Sequence, residues 1–391
     1  MARFLTIALL LIGGAWTASA QAPWIDPADD AKYLGPPTPL VWTLEQKVAG
    51  FRNYEKVLPA RRVPAGDSAY PLPKAERELG PVELVAGGKT ISLEEYFVQT
   101  NLAGLLVVQD GKIVYERYGL GNTADTRWVS YSVAKSATSL LIGAAIEDGY
   151  IRDLDVKVSD YLPRMKGSPY DQTSLRALMQ MASGVAWDET YDDPKSDVST
   201  ADWSTLALEA RLRGKRRVAE PGVRFNYNTA ETNLVGTLLR SAIGNNLATY
   251  LSEKIWRPFG MESDAYWSLT EPGGGEFGGC CISATLRDYA RLGLFALSGG
   301  RLPDGTRALP EGWMHELTTP SPARPDYGLL WWLPPHGGYA ASGIFGQRIY
   351  IHPEHRVVIA QHAARAGAVG WGEIQVAMES AVTQALARRD R

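Results

Sequence analysis

Cysteine is nearly absent from this 391-residue chain: there are two, and they are neighbours, Cys280 and Cys281. That excludes the cross-linked scaffold on which small exported proteins depend. Adjacent Cα atoms sit about 3.8 Å apart across a trans peptide, below the roughly 4.4 Å minimum of ordinary disulfides. The pair is therefore expected as two small buried hydrophobes, with a strained or intermolecular bridge as the alternative. Histidine is also scarce. All five, His315, His336, His352, His355 and His362, lie late in the chain, and none shows His-Glu-x-x-His or comparable ligand spacing. Neither a metal centre nor a cofactor is expected. No sign of charge dominates: the net charge is −3, which suits neither a nucleic acid nor an anionic membrane. The densest basic run, Arg211, Arg213, Lys215, Arg216 and Arg217, lacks interleaved aromatics and reads as a solvated helix end. There is no Gly-x-Ser-x-Gly elbow, which argues against a Ser-His-Asp triad on that turn. Gly273-Gly274-Gly275 follows no βαβ strand and is no nucleotide cradle.

Long apolar runs are missing as well. The longest is at the start, where Arg3 precedes an apolar stretch from Phe4 to Trp16 and Ala18-Ser19-Ala20 follows. A span needs roughly 20 apolar residues, and this stretch has about 13. Positive, apolar and small-residue regions in that order are the pattern of a cleavable signal peptide, cut after Ala20. No Cys follows to accept a lipid. Residues 1–20 are thus expected to be removed, and the product to be periplasmic or secreted without stable membrane insertion.

What remains is long enough, and at 45% hydrophobic residues apolar enough, for one large domain or two closely packed ones. Residues 21–90, with Gly35-Pro36-Pro37 and Pro71-Leu72-Pro73, suggest an extended N-terminal wrapping segment. Regular structure is expected from Leu102 to Gln109 and Lys112 to Tyr118, two β-rich runs joined by Asp110-Gly111, a strong hairpin signal. The period then changes. Val133, Ala137, Leu140, Leu141, Ala144 and Ala145 recur every three or four residues, predicting a helix with Ser130 as its N-cap and Gly149 as its stop. Residues 155–265 read as mostly helical. Leu286–Leu297 predicts a helix, Gln347–Ile351 and Val357–His362 predict strands, and Ile374–Ala387 a final helix. The expected fold class is α/β (α+β): an antiparallel sheet flanked by helices, built from 91–154 and 266–391, with 155–265 as a helical domain. A cleft between two such parts is a common place for an active site.

Ser132-Val133-Ala134-Lys135 carries the chemistry. A serine hydroxyl must lose its proton to act as a nucleophile at neutral pH. At i and i+3 of a helix, serine and lysine share a face. The first turn offers free N–H groups and a positive helix end. That end, and burial among small apolar residues, both lower an ammonium pKa, so Lys135 can accept the proton.

These residues, with others at matching order and spacing, resemble the β-lactamase-related serine hydrolases: class C β-lactamases, D,D-peptidases, certain esterases and 6-aminohexanoate-dimer hydrolase. The resemblance spans about residues 100 to 365. Ser132 and Lys135 match the first motif, and the segment Pro221 to Tyr227 leads to the second, whose tyrosine acts as general base and acid. Ala341-Ser342-Gly343-Ile344 falls where relatives carry Lys-Thr-Gly or His-x-Gly on a strand lining the site. Met181 to Gly184 and Ser283 to Asp288 match structural stretches. There are two departures. Tyr227-Asn228-Thr229 replaces the usual Tyr-x-Asn, leaving Thr229 as a hydrogen-bond donor without the amide. Ala341 stands in the cation position, which argues against efficient β-lactam hydrolysis, and Ser342-Gly343-Ile344 followed by Phe345-Gly346-Gln347 is most similar to the 6-aminohexanoate-dimer hydrolase and esterase branch.

The resemblance implies a β-lactamase/transpeptidase-like fold and two-step acyl transfer on a small-molecule amide or ester. Ser132 attacks, its proton passing to Lys135 or Tyr227, and the backbone N–H groups of Ser132 and Ile344 form the oxyanion hole. Tyr227 protonates the leaving group and activates water, while Tyr191, Thr229, Ser342 and Gly343 contact substrate. The alternatives are a β-lactamase or D,D-carboxypeptidase and, from another class, a non-catalytic ligand-binding protein with the same fold.

Overall fold

A computed structural model describes residues 20–389, so the expected leader lies outside the described residues except for Ala20. Asp110 and Gly111 both take positive φ, 50° and 75°. They fold Leu102–Gln109 (β1) back onto Lys112–Tyr118 (β2). The last quarter of the chain adds Tyr339–Gly343 (β3), Gln347–His352 (β4) and Val357–Ala363 (β5). These five strands form one antiparallel sheet in the order β2-β1-β5-β4-β3. Early and late parts of the chain therefore meet at β1 and β5, in a register from Val357↔Gln109 to His362↔Gly104.

Five helices matter for the site: Leu44–Phe51 (α1), Val133–Glu147 (α2), Thr229–Ile243 (α3), Leu286–Leu297 (α4) and Gly372–Arg389 (α5). Every residue of β1 is buried because both sheet faces are covered. Leu106 and Val108 share a core with Leu286 and Leu292 of α4. Leu105 and Val107 point the other way and pack with Ile374, Met378, Val382 and Leu386 of α5. A helix on each face of the sheet places the Ser132 region at the β3 edge, where α2 packs against both β3 and α3.

The small residues of α2 have a packing reason. Val133 through Ala145 are all buried, and a side chain at Gly143 would run into the Trp313 indole. The helix stops at Asp148, followed by Gly149 with φ 78°. Its start differs from expectation. Ser132, rather than Ser130, occupies the cap position. The Ser130 hydroxyl instead accepts the Ile282 N–H at 2.8 Å, tying the start of α2 to a neighbouring strand.

That strand, Ile282–Thr285, belongs to a second antiparallel sheet with Arg127–Val129, Ala265–Ser268 and Ala60–Val63. Regular structure thus begins well before Leu102. Thr43 and Gln46 form a capping box that starts α1, and Ser92 and Glu95 form another that starts the helix Leu93–Gln99. The cysteines also depart from expectation, which assumed a trans peptide. The Cys280–Cys281 peptide is cis, its Cα atoms are 3.4 Å apart, and the two sulfurs are bonded to each other. Among the described residues, no helix is long and apolar enough to cross a membrane.

Candidate active site

Ser132 follows Tyr131, whose φ is 45°, and leads into α2. A bulky residue in the left-handed region costs on the order of 1–3 kcal/mol and persists only when its surroundings hold it there. Here the hold is aromatic. The Tyr131 ring meets Phe51 edge-on at 5.2 Å, Tyr54 at 5.8 Å and Phe345 at 5.3 Å. Phe345 is itself left-handed, with φ 61°. Each expected oxyanion donor, Ser132 and Ile344, adjoins one of these two residues, and their ring contact ties the two backbones together. Gly343 is required for the approach, because a side chain there would collide with the Ser130 carbonyl oxygen.

One turn into α2, Lys135 is 1% exposed. Its ammonium donates to Ser132 Oγ at 3.1 Å, Thr229 Oγ1 at 3.0 Å and the Gly279 carbonyl at 2.7 Å. All three acceptors are uncharged. Burial pulls the amine down to about 7, against the opposing pull of the Glu189 carboxylate. Near neutrality a large share of Lys135 is therefore an amine able to take a proton.

Tyr227 precedes α3 and brings its ring face to 5.2 Å from Lys135 Nζ. It stacks on Trp332 with centroids 5.9 Å apart, and the Ser132 hydroxyl lies close enough to act on its phenol. Burial raises the phenol above its ordinary value, the Ser132 hydroxyl works downward, and Glu189 adds to the rise. Burial wins, so Tyr227 keeps its proton at neutral pH. The ammonium lies over the ring, where it meets the π face.

A cavity of about 580 Å³ opens over Ser132. Of the residues expected at the site, Ser132, Tyr191, Tyr227, Ser342, Gly343 and Ile344 line it. Thr229 does not fit its expected part as a substrate contact. It is 7% exposed, and its hydroxyl is used inside the protein, accepting from Lys135 and donating to Glu189. The reason is geometric: as the first residue of α3 it faces the lysine.

Glu189 is the residue that sequence reasoning missed. Its carboxylate accepts from the Thr229 hydroxyl, from Thr229 N–H at 3.1 Å, from Trp187 Nε1 at 2.5 Å and from Tyr191 OH at 2.9 Å. It therefore joins the loop at residues 187–191 to the start of α3. Its position two residues before Tyr191 was the available signal. Among the described residues, no group of three His, Cys, Asp or Glu side chains is placed to hold a metal ion.

Comparison with known proteins adds to this geometry. A family model described as Beta-lactamase matches residues 92–370. A 6-aminohexanoate-dimer hydrolase of Paenarthrobacter ureafaciens is 27% identical over 337 residues, covering 79% of this chain and 83% of the relative. A solved structure from Bacillus anthracis, provisionally named a 6-aminohexanoate-dimer hydrolase, superposes with a TM-score of 0.75 at 23% identity, over 88% of this chain and 95% of the other. A penicillin-binding protein homologue from Caulobacter crescentus gives a TM-score of 0.60 at 18% identity, over 75% and 95%. The structural likenesses establish a β-lactamase/transpeptidase fold, with antiparallel sheets flanked by helices.

Proposed function

The chain belongs to the beta-lactamase family of serine hydrolases, and from that premise we propose that it cleaves small amides or esters through an acyl-enzyme on Ser132. The observation that carries the reading is the buried amine of Lys135, drawn down to about 7 and lying 3.1 Å from Ser132 Oγ. A base poised near the working pH is what proton abstraction from a serine requires.

The steps follow from where the protons sit. Ser132 Oγ attacks the carbonyl carbon while its proton passes to Lys135. The developing oxyanion is met by the N–H groups of Ser132 and Ile344, each such donor being typically worth about 3–4 kcal/mol in rate. Tyr227 gives its proton to the leaving amine or alcohol, and its phenolate is balanced by the Lys135 ammonium over its ring. A water then attacks the ester, its proton going to Tyr227, and Ser132 Oγ recovers a proton from Lys135. Tyr191, Ser342 and Gly343 form walls around the substrate, and Glu189 and Thr229 hold the lysine in place.

The name of the Paenarthrobacter relative supports amide substrates. Ala341, where penicillin-recognising relatives carry a cation, favours amides and simple esters over β-lactams. The test is a panel of short nitrophenyl esters, 6-aminohexanoate dimer and a chromogenic cephalosporin, run beside fluorophosphonate labelling. Ester or amide turnover with labelling lost in Ser132→Ala supports the reading. Strong cephalosporin turnover with idle esters would favour a β-lactamase, and no labelling of the wild type a binding protein. Export to the periplasm or medium is proposed from the N-terminal sequence, and a mature protein whose first residue is not Gln21 would count against cleavage after Ala20.

A further inference from the structure

Phe345, next to the expected oxyanion donor Ile344, is held on three sides. Its N–H donates to the Ala368 carbonyl at 3.0 Å, and its carbonyl accepts the Arg365 N–H at 3.1 Å. Two backbone bonds thus seat this left-handed residue on the backbone of residues 365–368, a conformation that persists only where its surroundings impose it. The third side is the ring. Phe345 is 1% exposed, and the Lys47 ammonium of α1 covers its ring at 4.3 Å from the centroid.

Lys47 is itself 4% exposed. A lysine that only packs its stem keeps the ammonium in water, whereas this one brings it inside. The partners it finds there are the Ala366 carbonyl at 2.5 Å, the Arg365 carbonyl at 3.5 Å and the Phe345 ring, all uncharged. Burying a charge is costly unless its contacts compensate, so these contacts are what keep the ammonium in place. The ammonium therefore joins the Phe345 ring to the same backbone on which Phe345 is seated. Phe51, one turn further along α1, shares that face of the helix. Its ring meets both left-handed residues, Phe345 at 5.5 Å and Tyr131 at 5.2 Å. α1, Leu44–Phe51, lies outside residues 92–370, the stretch that the family model matches. The N-terminal segment thus reaches behind the catalytic site and braces it.

We propose that Lys47 is a positioning residue for acyl transfer: by clamping the Phe345 ring to the backbone of residues 365–368, it holds the Ile344 N–H towards the oxyanion without touching the substrate. The proposal rests on the acyl-hydrolase reading and adds to it a residue from outside the matched stretch.

Lys47→Met keeps the length of the side chain and removes its charge and its N–H groups. With nitrophenyl butyrate at pH 7, kcat is expected to fall at least tenfold while KM stays within about twofold, because an oxyanion donor acts on the transition state rather than on the bound ester. Two inhibitors separate this role from a purely structural one. Pentylboronic acid takes Ser132 Oγ onto boron, the serine proton passing to Lys135, and so presents a tetrahedral adduct to the oxyanion donors. Hexanamide occupies the cavity without forming one. Lys47→Met is expected to weaken the boronic acid at least tenfold and hexanamide less than about twofold. Lys47→Gln, which keeps an N–H for the Ala366 carbonyl but loses the charge, is expected to lower kcat and boronic-acid affinity about threefold, and it serves as the test if the methionine variant does not fold. An unchanged kcat in a folded variant, or equal weakening of the two inhibitors, overturns the proposal and leaves the hydrolase reading intact. A wild type that neither turns over the ester nor binds the boronic acid would instead count against the hydrolase reading, and the role of Lys47 would fall with it.

Discussion

Glu189→Gln should move the acid limb of the activity profile to lower pH. Glu189 reaches Lys135 through Thr229, whose hydroxyl accepts from Nζ at 3.0 Å and donates to the carboxylate. Two hydrogen bonds in series set the charges about 5 Å apart, worth about 3 kcal/mol at an effective dielectric of about 20. Glu189 is half-buried, so solvent screening reduces this to about half, or about one pKa unit on Lys135. The sign is fixed: the anion favours the ammonium, and removing it lets the amine lose its proton at lower pH. In the wild type only neutral Lys135 accepts the Ser132 proton, so kcat/KM for a neutral nitrophenyl ester should rise through pH 7 and level above it. At pH 6 the wild type should retain about one-tenth of its plateau, and the glutamine variant about half of its own. The measurement is kcat/KM from pH 5 to 9 for both proteins, each normalised to its own plateau. An acid limb that stays in place, or moves to higher pH, would refute the electrostatic coupling and the assignment of that limb to Lys135.

Lys135→Ala and Tyr227→Phe should each lower kcat at least a hundredfold with circular dichroism unchanged, since proton transfer typically contributes 10² to 10⁴. Near-normal turnover in either removes it from the mechanism. Gly343→Ala forces a methyl against the Ser130 carbonyl oxygen and should destabilise by about 1–3 kcal/mol while pushing Ile344 away from Ser132. Thermal melting and kcat check the two effects separately, and an unaffected kcat would show that the strand position is not critical. Glu231 is buried, and its pKa is raised to about 8 by desolvation. Its Oε1 accepts from Ser183 and from Tyr170 at 3.1 Å, while Oε2 has no partner and suits a bound proton. A carboxyl raised on folding stabilises fully below its unfolded value and loses that contribution as pH rises towards 8, at roughly 1.4 kcal/mol per unit. Glu231→Gln should therefore hold its melting temperature better than the wild type between pH 5 and 8; parallel curves would contradict a protonated Glu231.

Parts of this fold were legible because their signals are local. The Asp110-Gly111 turn and its two strands need only neighbouring residues to specify them. Leu286–Leu297 announces itself by the spacing of its apolar face and by a Thr285 cap whose hydroxyl accepts the Asp288 N–H. Ser132 and Lys135 were legible for the same reason, being one turn apart. What escaped depends on distant approach. In the N-terminal segment the prolines mask a capping box at Thr43 and a strand, Ala60–Val63, whose partner, Ala265–Ser268, comes some 200 residues later. Glu189 meets Thr229 across 40 positions, and no loop period marks it. Thr229 has the hydroxyl expected of it, but the start of α3 turns that group towards Lys135. Tyr131 and Phe345 read as ordinary core aromatics; their left-handed backbones, which adjoin the two proposed oxyanion donors, exist only once the strands and α1 come together.

The central claim is that Ser132 becomes acylated, and the acyl-enzyme can be weighed directly. Purified protein mixed with a short nitrophenyl ester, quenched in acid within milliseconds and digested, should yield the peptide containing Ser132 heavier by one acyl group. The adduct should be absent from Ser132→Ala and should accumulate when deacylation is slowed in Tyr227→Phe. An acyl group on another residue, or turnover that persists in Ser132→Ala, would contradict the account.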